Sequence, residues 1–437
     1  MAQYRTDTNV LDNAHAKTRY EVMMLSDRFT PSGTATDAFG RLRVSPPYTL
    51  FDSFHRYEEN AKWVTSTNGA GANTQYQVNE SVIDMNVGTT SGEYVYRETR
   101  RVFAYQPGKS LLVMNTFAMN TQKANLRQRV GYFDTQNGVF FENDGTDNYL
   151  VLRSYVSGSV VETRVAQADW NKDKFDGTGY SAQDGPEHGT GLDITKSNIF
   201  WIDMEWLGVG DVRCGFVVDG RMVPAHIFHN DNSNTTTYMT TAILPIRYEI
   251  ENTGTTASIS KLKQICSTVQ SEGGYELRGE SRSVSLPLAT PKDLPTTGTF
   301  TPVISIRISD SFSNAIAILK NASFFGVTNN MKYQYKIVTG GTLTGASWVS
   351  AGTGSIVEYD ISATSITGGI DRAQGYLIVS SGAGGETQAL RGDDLFQFQL
   401  ERNPFATSNK GYVISLVATG ASNGVDALGH LTWEEIT

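Results

Sequence analysis

Apolar and polar residues alternate with period two along most of this chain, in short runs broken by Gly, Asn, Asp and Pro. Residues 75–87 (QYQVNESVIDMNV), 93–105, 110–119 and 128–135 each carry the pattern of a half-buried strand, and turn residues recur at the spacing of an antiparallel sandwich. No segment alternates strand with helix in the manner of a βαβ sheet. In MKYQYKIV, Tyr333, Tyr335 and Ile337 fall on one face while Lys332, Gln334 and Lys336 fall on the other, so one face is dry and the other wet.

The pattern predicts an all-β fold with an antiparallel jelly-roll-like sandwich over 51–285 and a second C-terminal β-sandwich over 301–437. Between them, 286–300 carries Pro287, Pro291 and Pro295 and few large apolar residues, which predicts a linker. Within residues 1–50, VLDNAHAKTRYEVMML reads as a short helix, and FTPSGTATDAFGRLRVSPPYTLF after it is Pro- and Gly-punctuated with little periodicity. They read as an extended N-terminal arm whose contacts lie on another chain.

The stretch 200–231 has the sharpest alternation. Phe200, Ile202, Met204 and Trp206 alternate with Trp201, Asp203, Glu205 and Leu207, and Asp219-Gly220 signals a two-residue hairpin turn. That turn pairs residue 218 with 221 and, carried back, 213 with 226. If the apolar faces coincide, 206 pairs with 212, and Glu205, Arg213 and His226 form a row across three strands about 4.8 Å apart. Trp201, Asp203, Glu205, Arg213 and His226 are therefore the candidate glycan- or partner-binding surface. Asp203 and Glu205, two apart on one face, would stand roughly 6.5–7 Å apart, within the carboxylate separation of inverting glycosidases. A guanidinium beside Glu205 lowers its pKa, the wrong direction for a general acid, so a charge ladder is the simpler expectation.

Two other places look chemical. In FFENDGTDNYLVLR (140–153), Glu142, Asp144 and Asp147 loosely match the E-x-D-x-x-E of jelly-roll glycoside hydrolases, but Gly145 breaks the strand that would align them. Nor is the spacing that of a calcium loop. A hairpin tip at Asn143-Asp144-Gly145 accounts for the residues. His226 and His229, three apart, point to opposite faces of a strand and cannot share one ion within it. No nucleotide-binding glycine loop, nucleophile elbow or H-E-x-x-H is present. The expectation is a protein without catalytic residues, metal or cofactor.

Composition narrows the partners. The net charge is −9 with no basic segment, which argues against nucleic acid. No apolar run reaches the length of a membrane span, and the N-terminus lacks the apolar core of a signal peptide. The 2 cysteines, Cys214 and Cys266, are too few for a disulfide framework and read as free, mostly buried thiols, which suits synthesis in a cytoplasm.

FGRLRVSPPYTLFDS (39–53) resembles the N-terminal signature of virion structural proteins of tailed bacteriophages. PVISIRI (302–308), YQYKIVTGGTLTGASWVSAGTGSIVEYD (333–360) and HLTWEEI (430–436) resemble a β-rich module that recurs in such particles. The resemblance covers the arm and the last third of the chain, and it carries no catalytic residues. It implies a tail, baseplate or fibre component, or alternatively a capsid-decorating protein, located in the virion. Its partners would be copies of itself, as a homo-oligomer, and other virion proteins, with a host-surface glycan as a further ligand.

Overall fold

The computed structural model describes residues 47–436, apart from 180–190, 277, 313, 381–384 and 392–397, with 385–391 as backbone. The expected arm therefore lies outside the described residues up to Pro46. Two compact units are present, and they divide between Tyr275 and Glu276. Residues Arg100–Ala104 belong to the second.

The first unit contains β1 (Tyr48–Ser53), β2 (Trp63–Asn68), β3 (Asn73–Gln77), β4 (Val82–Val87), β5 (Tyr94–Thr99), β6 (Ser110–Ala118), β7 (Leu126–Phe133), β8 (Gly138–Asn143), β9 (Asn148–Ser154), β10 (Val161–Ala166), β11 (Asn198–Met204), β12 (Val212–Val218), β13 (Arg221–Phe228), β14 (Ile246–Asn252) and β15 (Ser260–Glu272). An eight-stranded sheet, sheet A, runs β13-β12-β11-β6-β15-β4-β3, with β1 also on β15. A seven-stranded sheet, sheet B, runs β10-β9-β8-β7-β14-β5-β2. All pairings are antiparallel, as the period-two pattern requires. Phe141 of β8 packs against Phe117, Phe200 and Phe216 of sheet A, which closes the two layers into a jelly-roll-like sandwich. The run 75–87, expected as one strand, is a hairpin of β3 and β4 turned at residues 78–81, where Ser81 has a φ of 56°.

The second unit holds β16 (Glu280–Ser285), β17 (Lys292–Leu294), β18 (Thr301–Ile308), β19 (Ile316–Gly326), β20 (Met331–Thr339), β21 (Thr342–Thr344), β22 (Val349–Ser350), β23 (Val357–Asp360), β24 (Ser365–Thr367), β25 (Ile370–Val379), β26 (Gly385–Arg391), β27 (Ile414–Gly420) and β28 (Val425–Ile436). Sheet C is five-stranded, β16-β28-β19-β26 with β17 on β28, and sheet D is six-stranded, β22-β23-β18-β27-β20-β25. Their shared core centres on Trp433, Phe324, Tyr333, Ile304 and Leu416. The stretch 286–300 is no free linker: β17 inside it pairs with β28, and β16 before it, assigned from sequence to the first sandwich, is also a strand of sheet C. Its prolines punctuate turns on either side of β17 without preventing pairing. The wet and dry faces of β20 fall as expected, with Tyr333, Tyr335 and Ile337 buried. Among the described residues, the only helix is the 3-10 turn Gln167–Asp169, and no helix is long and apolar enough to cross a membrane.

Candidate functional site

The surface expected on β11–β13 takes a different form. Asp219-Gly220 makes the hairpin turn, with φ of 50° and 73° and Val218 opposite Arg221. Three residue pairs later a β-bulge intervenes: Gly215 faces Pro224 but Cys214 faces His226, leaving Ala225 extra. One added residue switches faces, so His226 stands opposite Cys214, with its ring against Phe228, instead of opposite Arg213. It accepts the Asn171 N–H at Nδ1 (3.2 Å). The other edge of the row fails for a separate reason. β11 ends at Met204, which pairs with Val212 in place of Trp206, so Glu205 does not hold the expected position next to Arg213 in the register. Asp203 takes its place, buried and ion-paired to Arg213. Trp201 is only 3 % exposed and donates its indole N–H to the Phe216 carbonyl. From Phe200 to Met204 both faces of β11 are buried, so Trp201 presents no exposed ring to a ligand.

Charge and aromatic surface gather instead on sheet B, on the face turned away from sheet A. On β14, Ile246, Tyr248 and Ile250 enter the core, so the alternate residues Arg247, Glu249 and Glu251 take the opposite face. Register then aligns them with charges on neighbouring strands: Glu98 with Arg247, and Glu249 with Arg129, which faces Glu142. The result is one continuous ion network. Arg247 bonds Glu98 (2.7 Å) and Glu249 (2.6 Å); Arg129 reaches Glu249 (3.4 Å) and Glu142; Arg164 joins Glu142 to Asp144 (3.0 Å). A branch adds Arg153, bonded to Glu162 at 2.7 Å. The guanidinium planes roof the aromatic rings of the same face, Arg153 at 4.9 Å from the Phe140 centroid and Arg164 at 4.0 Å from that of Tyr149. At the β5 side, Tyr94 and Tyr96 stack at 4.2 Å, both half-buried, and Tyr96 donates to Glu251, which also holds Arg127.

This environment favours the ionised forms of Glu249, Glu162 and Asp144. Burial pushes the Glu249 carboxyl up, but Arg247, Arg129 and Arg153 outweigh it and leave it below the usual range. Glu162 is lowered in the same way by Arg153, Arg129 and Arg164 against its burial. For Asp144, partial burial is overcome by the N–H groups of Asp147 and Thr146, the Thr146 hydroxyl and Arg164, which bring it down to about 2. The hairpin tip at 143–147 is present, with Gly145 at a φ of 96° and Asp144 capping the turn. Glu142 is not part of that tip: it sits within β8, buried between two arginines. Sequence reasoning missed the network. Its signal was the strict alternation of charge with apolar residues in RYEIEN (247–252), but which strands lay beside β14 was not readable.

Among the described residues, one cluster brings metal-ligating atoms together: Asp211, His229 and Asp231, within 4.8 Å of one another on the surface. His229 Nδ1 already lies 2.8 Å from Asp211 Oδ2. Of the two thiols, Cys214 is buried and Cys266 exposed.

No protein-family model matches the chain. No curated protein sequence matches it either. Solved structures with similar folds include the carbohydrate recognition domain of Emp47p (11 % identity, 51 % of this chain and 95 % of that one, TM-score 0.32). Two come from phage proteins: the CBM2 module of the evolved Dit of Lactobacillus casei BL23 phage J-1 (7 %, 53 % and 98 %, 0.32) and a carbohydrate esterase of Shiga toxin-encoding bacteriophage phi24B (9 %, 52 % and 100 %, 0.28). At these values the similarity carries no argument about activity or partner.

Proposed function

We propose that this chain is a non-enzymatic structural protein of a tailed-bacteriophage virion, a tail, baseplate or fibre component that joins the particle through its N-terminal arm. Capsid decoration is the neighbouring alternative. The observation that carries the non-enzymatic part is the sheet B network: the acids of this charged face are tied to arginines, and those whose titration is displaced are displaced downward. A general acid needs the opposite shift. Recognition and rigidity are what such a face supplies. The arm assignment rests on FGRLRVSPPYTLFDS, whose last residues form β1 and pair with β15 of sheet A.

Deleting residues 1–45 tests this reading. The shortened protein is expected to fold and stay soluble but to be missing from purified particles; normal incorporation defeats the assignment. Measurable hydrolysis of polysaccharides, lost in Glu249→Gln, would overturn the non-enzymatic part. A second reading, glycan binding, is favoured by the stacked Tyr94 and Tyr96 beside the Arg127–Glu251 pair, since flat rings with flanking donors and acceptors suit a sugar. It predicts that Tyr94→Ala reduces retention on host-surface glycan at least tenfold without altering the melting temperature.

A further inference from the structure

Glu93, immediately before β5, is only 5 % exposed, and its carboxylate has little to hold it. Oε1 accepts the Gly71 N–H (2.9 Å), while Oε2 has no hydrogen-bond partner among the described residues. Glu98, Glu142, Asp203 and Glu249 are buried to a similar degree, but each is paired with an arginine. A carboxylate buried without a counter-charge is costly enough that something must neutralise it.

The room around Glu93 is made by bare main chain. A Cβ on Gly69 would stand 2.4 Å from Glu93 Cγ, and one on Gly88 would stand 2.5 Å from Oε2, so a side chain at either position would strike this one. Gly69 also has a φ of 98°, which glycine alone adopts readily.

A second oxygen is stranded at the same turn. Asn252, fully buried at the end of β14, donates its N–H to the Glu93 carbonyl (2.8 Å) and accepts the Gly92 N–H (2.7 Å), which sets the two residues side by side. Its Nδ2 donates to the Gly88 and Thr90 carbonyls (3.0 and 3.2 Å), and these bonds fix which end of the amide is nitrogen. Oδ1 is left without a partner among the described residues. Two neighbouring residues, both packed on Gly88, thus each bury an acceptor that nothing donates to. Native folds leave few such atoms, and each calls for an explanation. The groups on offer are a carboxylate, a side-chain amide oxygen and a main-chain carbonyl, with no nitrogen or sulfur ligand. That mixture is what hard cations take.

We propose that Glu93 Oε2 and Asn252 Oδ1, with the Gly88 carbonyl beside them, hold a divalent cation of the calcium class that ties the turn 88–93 to the end of β14. A single carboxylate makes the site weak, with a dissociation constant of about 1 mM, water completing the shell. The site is independent of the arm and of the virion reading.

Melting of the full chain, stripped with EDTA and then titrated with calcium chloride, tests it against sodium chloride at equal ionic strength. At 10 mM calcium the wild type should melt about 3–6 °C higher, and sodium should not reproduce the shift. Glu93→Gln should lose the response while melting no lower than wild type without calcium, because it removes the buried charge. If it does melt lower, Asn252→Asp decides: a second carboxylate should lower the melting temperature without calcium and enlarge the gain from it. Asp211→Asn, which alters the surface cluster with His229 and Asp231, should respond like wild type. A wild type that calcium does not move overturns the site, and is what a single proton shared between the two oxygens predicts. A shift matched by sodium, kept in Glu93→Gln or lost in Asp211→Asn overturns it as well.

Discussion

At the scale of single residues, Arg129 is the test of whether sheet B's outward face holds the first unit together. It stands between Glu249 and Glu142, both buried, and stacks over Phe140 at 5.2 Å. Replacing it with Met keeps most of its volume but leaves two buried carboxylates facing one guanidinium fewer. Removing one partner of a buried pair costs about 3–5 kcal/mol, so Arg129→Met should lower the unfolding free energy of the first unit by that amount, read from urea denaturation as a lower midpoint at unchanged slope. Glu142→Gln should cost less, because Arg129 keeps Glu249 and Arg164 keeps Asp144 as counter-charge, while the amide oxygen still accepts from one of the two. Equal and small effects, under about 1 kcal/mol, would mean the network is solvated. These roles were only partly legible in sequence. That Asp203 was a strand residue followed from alternation, a signal that RYEIEN (247–252) also carries; that the counter-charges of Asp203 and Glu249 were Arg213 and Arg129 depended on register. A one-residue error in register exchanges every partner and every face. His226 shows this: the turn at Asp219-Gly220 was readable, while the bulge at Ala225 left no mark that distinguished it from regular strand.

Between residues and the whole stand segments such as 100–104. Sequence alternation ran on from β5 through Tyr105 and suggested one long strand. The chain instead leaves β5 at Thr99, and Arg100–Ala104 join the second unit. There the Val102 carbonyl accepts from Gln399 (2.9 Å), the Arg100 carbonyl from the Arg402 N–H (2.8 Å), and Arg101 pairs with Glu401 at 3.1 Å. Val102, Phe103 and Ala104 are buried. Local pattern cannot reveal such a departure, because a segment pairing three hundred residues away has the same period-two signature as one pairing with its neighbour. The consequence is testable. A fragment of 276–437 retains sheets C and D but lacks this segment, and burying Val102 and Phe103 is worth about 1.5–3 kcal/mol each. The isolated fragment should therefore be less stable than the same unit in the full chain by about 3–6 kcal/mol, read from its denaturation midpoint. Equal stability would show that the segment merely rests there.

For the whole molecule the linkage to pH is set by buried histidines more than by the net charge. Burial, with Arg97 beside it, brings His55 down to about 4; burial, with His229 and Lys172 nearby, does the same for His226. Unfolded, both titrate near 6.5. Between pH 6.5 and 4 the unfolded chain therefore binds protons that the folded one refuses, and stability rises with pH through that window and is flat above it. Each histidine contributes at most about 1.4 kcal/mol per pH unit there, so the pair sets a ceiling of about 2.8. The carboxylates act later: Asp144, at about 2 when folded against roughly 3.9 unfolded, adds stability that is present above pH 4 and lost as pH falls towards 2. Net charge works the other way, since acid reduces the −9 and with it self-repulsion, but salt screens that term and leaves the buried groups almost untouched. Urea midpoints measured at 0.15 M salt should therefore be level from pH 8 to 6.5 and fall steadily from 6 to 4.5. His55→Gln with His226→Gln, whatever it costs at neutral pH, should flatten that fall, whereas a wild-type midpoint unchanged down to pH 4.5 would mean that neither ring is kept neutral by the fold.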